Sequence, residues 1–199
     1  QAGLGRTGKL WAFEHFEVHP DIVVLGKGLS GGLYPISATV LDQRLEKVFH
    51  EDPFIHVSTF GGAEPGCVVA DKVLEISAEP AFLDHVNHLA ARWQQELDAL
   101  QQKRSSIMAG HEGLGLMRAL VLHDKLAGPV LTKTAYDHDL LLIYANHDTR
   151  RVQFLPPLTM DESDIPMVAA RLDKALQQAQ RLLPLVKLRR AVDKIFKRK

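Results

Sequence analysis

An apolar, β-branched run, Ile22-Val23-Val24-Leu25, breaks directly into Gly26-Lys27-Gly28-Leu29-Ser30-Gly31-Gly32. Coming after Pro20-Asp21, the run predicts a short buried strand. Five of the next seven residues are Gly or Lys, which predicts a loop where the backbone turns tightly. The pattern alternates from there on. Residues 36–41 read as a second strand, Asp42 caps a helix reaching Phe49, 56–62 read as a loop, and 66–76 as an apolar helix. Pro80 opens a longer helix to about Lys103, with Phe82, Val86, Leu89, Trp93 and Leu97 on one face. Residues 107–122, 140–146 and 151–158 read as strands, interrupted by Gly110, Gly113 and Gly115 and by a turn at 147–150. Asp161 and Asp164 start a last helix to about Leu183. The chain therefore reads as α/β, with a boundary near the long helix.

Charge and cysteine content narrow the function. Lys plus Arg equals Asp plus Glu at 24 each, so no global field favours nucleic acid. The single cysteine, Cys67, excludes an internal disulfide framework and suits a reducing, cytoplasmic setting. No apolar run approaches the roughly 20 residues that span a bilayer, and no signal peptide is visible. The first residue is Gln1, inside a glycine-rich loop, so the expectation is a C-terminal part of something longer.

Gly3-Leu4-Gly5-Arg6-Thr7-Gly8-Lys9-Leu10 nearly spells a phosphate-binding loop. Leu10 stands where such a loop needs a Ser or Thr for magnesium, so a tight surface turn is expected instead. Lys27 is the sharper candidate. A lysine leaving an apolar strand, flanked by glycines that let a bulky ligand approach, suits Schiff-base chemistry if low surrounding charge depresses its amine pKa. His85 and His88 share a helical face without a third ligand, so a solvated face is expected and no metal site is assigned. His15 is expected to be structural, and Cys67 to be a small core residue.

The surrounding text carries a resemblance. Residues 1–8, Ala12, His15, Pro20-Asp21, the block from Leu25 to Pro35, Ser58-Thr59-Phe60-Gly61-Gly62, Gly113-Leu114-Gly115-Leu116-Met117 and Phe154-Leu155-Pro156-Pro157-Leu158 run in the order found in class III, fold-type I pyridoxal-phosphate aminotransferases. That group holds the ornithine, acetylornithine, GABA and putrescine enzymes. The resemblance implies the C-terminal part of the large cofactor-binding domain at 1–79. It also implies a connecting helix with a small α+β domain at 80–183, and 184–199 forms a tail.

By the same resemblance Lys27 is the Schiff-base and proton-shuttling lysine, and Gln1 approaches the cofactor's 3′-oxygen. Ser58 and Thr59 reach the cofactor phosphate of the neighbouring subunit in a homodimer. The family's aspartate for the pyridine nitrogen would lie before Gln1, on an N-terminal half this sequence does not contain. The family's carboxylate-gripping arginine falls at Gln153, with Arg151 on the same side of a strand about 7 Å away as a substitute. A neutral amide cannot make arginine's bidentate pair. This favours a small-molecule amine, polyamine or aldehyde over a ligand with an α-carboxylate, beside the alternative of an ordinary ω-amino-acid transaminase. A non-catalytic remnant, or a scaffolding half of a larger assembly, is the alternative of a different class.

In the tail, Leu185, Leu188, Val192, Ile195 and Phe196 share one helical face opposite a basic one. The ordinary expectation is a helix that packs this face on the body. Contact with an anionic membrane or a partner is the alternative.

Overall fold

Strand β1, Ile22–Leu25, pairs antiparallel with β2, Ala38–Leu41, in a register running from Ile22↔Leu41 to Leu25↔Ala38. The computed structural model describes residues 1–52 and 54–196. It divides into two units, Gln1–His85 and Val86–Lys199.

In the first unit β1 is not the buried strand its composition predicts. Ile22 is 53% and Val24 75% exposed. The strand has one partner, β2, and no further described layer covers its outward residues. Asp42 does cap, accepting from the Arg44 N–H at 2.9 Å, but it starts a 3-10 turn, Gln43–Leu45, before the short helix α1, Lys47–Glu51. Helix α2, Glu64–Ala78, buries Gly66, Ala70 and Ser77. Cys67 lies one step round this helix and is exposed, contrary to the core role expected of it. Among the described residues, Leu29 and Ala70 are the unit's buried hydrophobic side chains.

The second unit has a full core. Helix α3, Pro80–Lys103, begins in the first unit and brings Val86, Leu89, Trp93 and Leu97 to full burial. Strands β3, Met108–Leu114, and β4, Met117–Leu122, form a hairpin. With β5, Ile143–Tyr144, and β6, Arg151–Phe154, they make an antiparallel sheet of order β3-β4-β6-β5. Trp93 meets Phe154 edge to face, ring centroids 4.6 Å apart. Burying side chains of this size contributes about 1.5–3 kcal/mol each.

Helix α4, Ala127–Tyr136, is absent from the sequence reading because Gly128-Pro129 looks like a turn. Pro129 falls in its first turn, where proline costs no hydrogen bond. Buried Ala127, Leu131 and Ala135 recur at helical spacing, and the Thr134 hydroxyl donates to the Ala175 carbonyl at 2.9 Å.

The last helix, α5, Ile165–Phe196, does not stop near Leu183 but continues through Pro184. Half-buried Leu182, Leu183 and Val186, and an ion pair from Lys187 to Asp124 at 2.6 Å, hold it on both sides of the proline. The expected packing of the tail's apolar face is not found. Leu185 and Leu188 are 62% and 64% exposed and Val192 is 42% exposed. The side chains of Lys194, Ile195 and Phe196, and residues 197–199, lie outside the described residues.

Asp173 on α5 accepts from Arg104 at 2.6 Å and from Lys103 at 2.8 Å, next to the end of α3. The Arg104 hydrogen bond, then Lys103, hold its carboxyl below the usual range. A carboxyl lowered in the folded state stabilises it above the unfolded pKa, and that stabilisation is lost as pH falls through the folded value. Asp173→Asn is expected to cost about 1–2 kcal/mol at neutral pH. It should cost almost nothing in the acid range below both pKa values, as read by urea denaturation across pH.

Candidate active site

The opening loop is built without a ligand. Gly3 bridges Trp11, the Gly5 N–H donates to the Leu10 carbonyl at 3.3 Å, and a 3-10 turn, Ala12–His15, follows in place of an α-helix. Lys9 Nζ donates to the Glu14 carbonyl at 2.9 Å, so the lysine of the near-phosphate-loop is turned onto backbone. His15 Nε2 donates to the Thr7 carbonyl at 3.1 Å and pins the loop.

Lys27 stands where β1 ends, at the start of a 3-10 turn, Lys27–Ser30, rather than in an irregular loop. Buried Leu29 and Ser30 anchor that turn, and Lys27 itself is exposed. Its φ of +49° lies in the left-handed region, which costs a residue bearing a Cβ about 1–2 kcal/mol. Strain of this kind persists where the surrounding structure imposes it. Its amine donates to Gln1 Oε1 at 2.7 Å, joining two candidates 26 positions apart. No carboxylate pairs with Lys27 among the described residues. On its flank, a Cβ built on Gly26 would meet only Ser37 Cβ, at 3.9 Å, so the approach is open.

Ser58 and Thr59 lie on an exposed loop in the same unit. The Ser58 carbonyl accepts from the Gly61 N–H at 3.3 Å. Among the described residues neither hydroxyl has a hydrogen-bond partner, and no hydrogen bond joins either residue to Lys27 or Gln1. Phe54, Val57 and Phe60, which surround them in sequence, are 82%, 73% and 81% exposed. An amine held by a neutral acceptor, with two unpartnered hydroxyls on a glycine-containing loop elsewhere, is a donor set that fits an aldehyde carrying a phosphate.

In the second unit Arg151 and Gln153 alternate with buried Val152 and Phe154, so both side chains leave the same, half-buried face of β6. Arg151 is engaged. Its Nε donates to Glu112 Oε1 at 2.5 Å, its Nη2 to Glu112 Oε2 at 3.3 Å, and its Nη1 to Asp148. Hydrogen bonding from Arg150, with Arg151 adding charge, holds Asp148 far below the usual carboxylate range. The Gln153 amide has no hydrogen-bond partner among the described residues. Glu112 and Asp148 escaped the sequence reading. Asp148 sits in the turn just before Arg151, which was a usable signal; Glu112 is two strands away.

His88 is paired with Glu162 at 2.8 Å rather than merely solvated. Among the described residues no cluster of His, Cys, Asp or Glu has metal-ligand geometry, and no helix is long and apolar enough to cross a membrane.

Residues 1–176 match the aminotransferase class-III family. An uncharacterized aminotransferase of Archaeoglobus fulgidus is 42% identical over 186 residues, 94% of this chain and 44% of its own. A putrescine aminotransferase of Pectobacterium atrosepticum is 30% identical, over 92% of this chain and 39% of its own. The solved ornithine aminotransferase of Toxoplasma gondii, described with partial occupancy of PLP at its active site, matches with a TM-score of 0.78 at 31% identity. That match covers 91% of this chain and 42% of the other. The chain thus spans well under half the length of these relatives.

Proposed function

This chain belongs to the class III aminotransferases, a pyridoxal-phosphate-dependent family, and from that premise we propose that it supplies the lysine-bearing part of a transaminase site. The observation that carries the reading is Lys27: a strained, exposed lysine with an open flank, whose amine is held by the neutral Gln1 amide. Pyridoxal phosphate, when bound, supplies the electron sink for the substrate's α-carbon. Lys27 would hold the cofactor through its amine and carry the proton to and from that carbon. Gln1 orients the Lys27 amine and would lie beside the cofactor ring.

Ser58 and Thr59 would hold the phosphate of a neighbouring subunit. The exposed Phe54, Val57 and Phe60 around them support a homodimer whose partner covers this loop. In domain terms, 1–79 would close the large cofactor-binding domain, 80–183 would hold the connecting helix and small domain, and 184–199 the tail. An exposed free thiol at Cys67 suits a reducing, cytoplasmic setting. The test is borohydride reduction of the yellow protein, expressed from its complete reading frame, followed by peptide mapping. A pyridoxyl adduct on Lys27 is expected. A protein that stays colourless with added cofactor would instead be a non-catalytic remnant or scaffold.

For the substrate, Gln153 supports an amine, polyamine or aldehyde over a ligand with an α-carboxylate. Arg151 would have to leave both Glu112 and Asp148 to take a substrate carboxylate. Gln153→Arg is expected to raise kcat/KM for α-amino-acid donors by about 10- to 100-fold, the value of a charge-assisted pair, and to leave diamine donors less affected. Efficient turnover of α-amino acids by the unmodified protein, with no response to Gln153→Arg, would overturn this substrate reading and return it to the ordinary ω-amino-acid class.

A further inference from the structure

The end of α5 carries exposed side chains that the candidate site does not use. From Pro184 onward the sequence holds seven Lys or Arg residues against one acid, Asp193. Because Lys plus Arg equals Asp plus Glu over the whole chain, the remainder is net acidic. This sequence is therefore electrically divided, with an excess of positive charge after Pro184.

The rotation of that helix is set. Leu182, Leu183 and Val186 are half-buried, and Lys187 is tied to Asp124 at 2.6 Å. At 3.6 residues per turn, Leu185, Leu188 and Val192 then share the side turned away from these contacts. Their exposure, 62%, 64% and 42%, agrees. Arg189, also exposed, borders this stripe, while Arg190, exposed as well, falls on the opposite side of the helix by the same spacing.

We infer that residues 184–199 attach the protein peripherally to an anionic lipid surface. The aliphatic stripe enters the headgroup boundary, where Arg189 beside it meets the lipid phosphates and carboxylates, and the tail's other cations add longer-range attraction. Three aliphatic side chains fall far short of the roughly 800 Å² per partner that a stable protein interface buries. Added to a cluster of cations, they are the usual make-up of an interfacial helix. The helix is too polar to span a bilayer, so the contact is superficial. Each basic residue near such a surface is worth about fivefold in partitioning, an effect that falls within a Debye length and with salt. This inference stands apart from the transaminase reading, since it needs neither cofactor nor Lys27.

The experiment is co-sedimentation of the intact protein with vesicles of phosphatidylcholine, alone or mixed with phosphatidylserine. Binding is expected only to the mixed vesicles, weakening as salt rises. Arg189→Gln should weaken it about fivefold. Leu185→Ser, Leu188→Ser and Val192→Ser together should weaken it about tenfold or more, with unchanged helical circular dichroism since all three side chains are exposed. Absence of binding, equal binding to both vesicle types, or binding that neither variant alters overturns the inference. So does a doubled mass in light scattering that the serine variant abolishes without any vesicle binding, which would assign the stripe to a second copy of the chain.

Discussion

Lys27→Ala, in the protein expressed from its complete reading frame, is expected to lower transamination by about 10⁴-fold, the upper end of what a positioned proton carrier supplies. The borohydride-trapped adduct should disappear with it. Lys27→Arg should fail equally: a guanidinium keeps the charge and can still donate to Gln1, but it does not deprotonate to become a nucleophile. Lys27→Gly separates the amine from the fold. Lys27 sits at φ +49°, so glycine relieves about 1–2 kcal/mol of left-handed strain while adding about 0.5–1 kcal/mol of chain entropy to be lost on folding. The glycine variant is therefore expected to be at least as stable as the unmodified protein and to be inactive. If the alanine variant kept more than about a hundredth of the rate, where loss of general acid–base catalysis alone removes 10²–10⁴, or if the adduct mapped to another lysine, Lys27 would not be the catalytic amine.

How much of this was legible beforehand differs from element to element. The long helix α3 was readable because Pro80 marks its start and Val86, Leu89, Trp93 and Leu97 recur at its period. The strand character of 107–122 was readable, with glycines breaking it, but the antiparallel pairing of β3 with β4 was not. Strand β1 was found in place but wrongly buried, because apolarity shows what a residue favours and not which layer exists to cover it. Helix α4 was lost to a local signal, Gly128-Pro129, that reads as a turn until its place in a first helical turn is known. Lys27 was singled out by its strand and glycines, yet its meeting with Gln1 across 26 positions has no periodic signature. Only the family resemblance placed the two together. The engagement of Arg151 by Glu112 was hidden for a related reason, since it depends on the order β3-β4-β6, which follows from pairing rather than spacing.

Gly128 carries the second large expectation, and there two principles oppose each other. Gly128 lies in the first turn of α4, where replacing glycine by alanine gains at most the roughly 1 kcal/mol of a helix interior. Gly128 has no positive φ to favour glycine, so propensity alone predicts that Gly128→Ala stabilises α4. The packing says the reverse. A Cβ at this position would fall 1.8 Å from the Thr149 carbonyl oxygen and 3.2 Å from Tyr144 Cβ. The nearest atom is backbone, so no rotamer change relieves the clash, and α4 must shift away from the turn before β6. That shift would disturb the Thr134 to Ala175 hydrogen bond, which joins α4 to α5. Overpacking against fixed atoms costs up to about 3 kcal/mol, which outweighs the propensity gain. Gly128→Ala is therefore expected to lower the melting temperature of the second unit by about 4–8 °C, the shift that a net loss of about 2 kcal/mol produces in a chain of this size. A rise in melting temperature would show that Thr149 yields freely and that the close approach of α4 to its turn is not what glycine serves here.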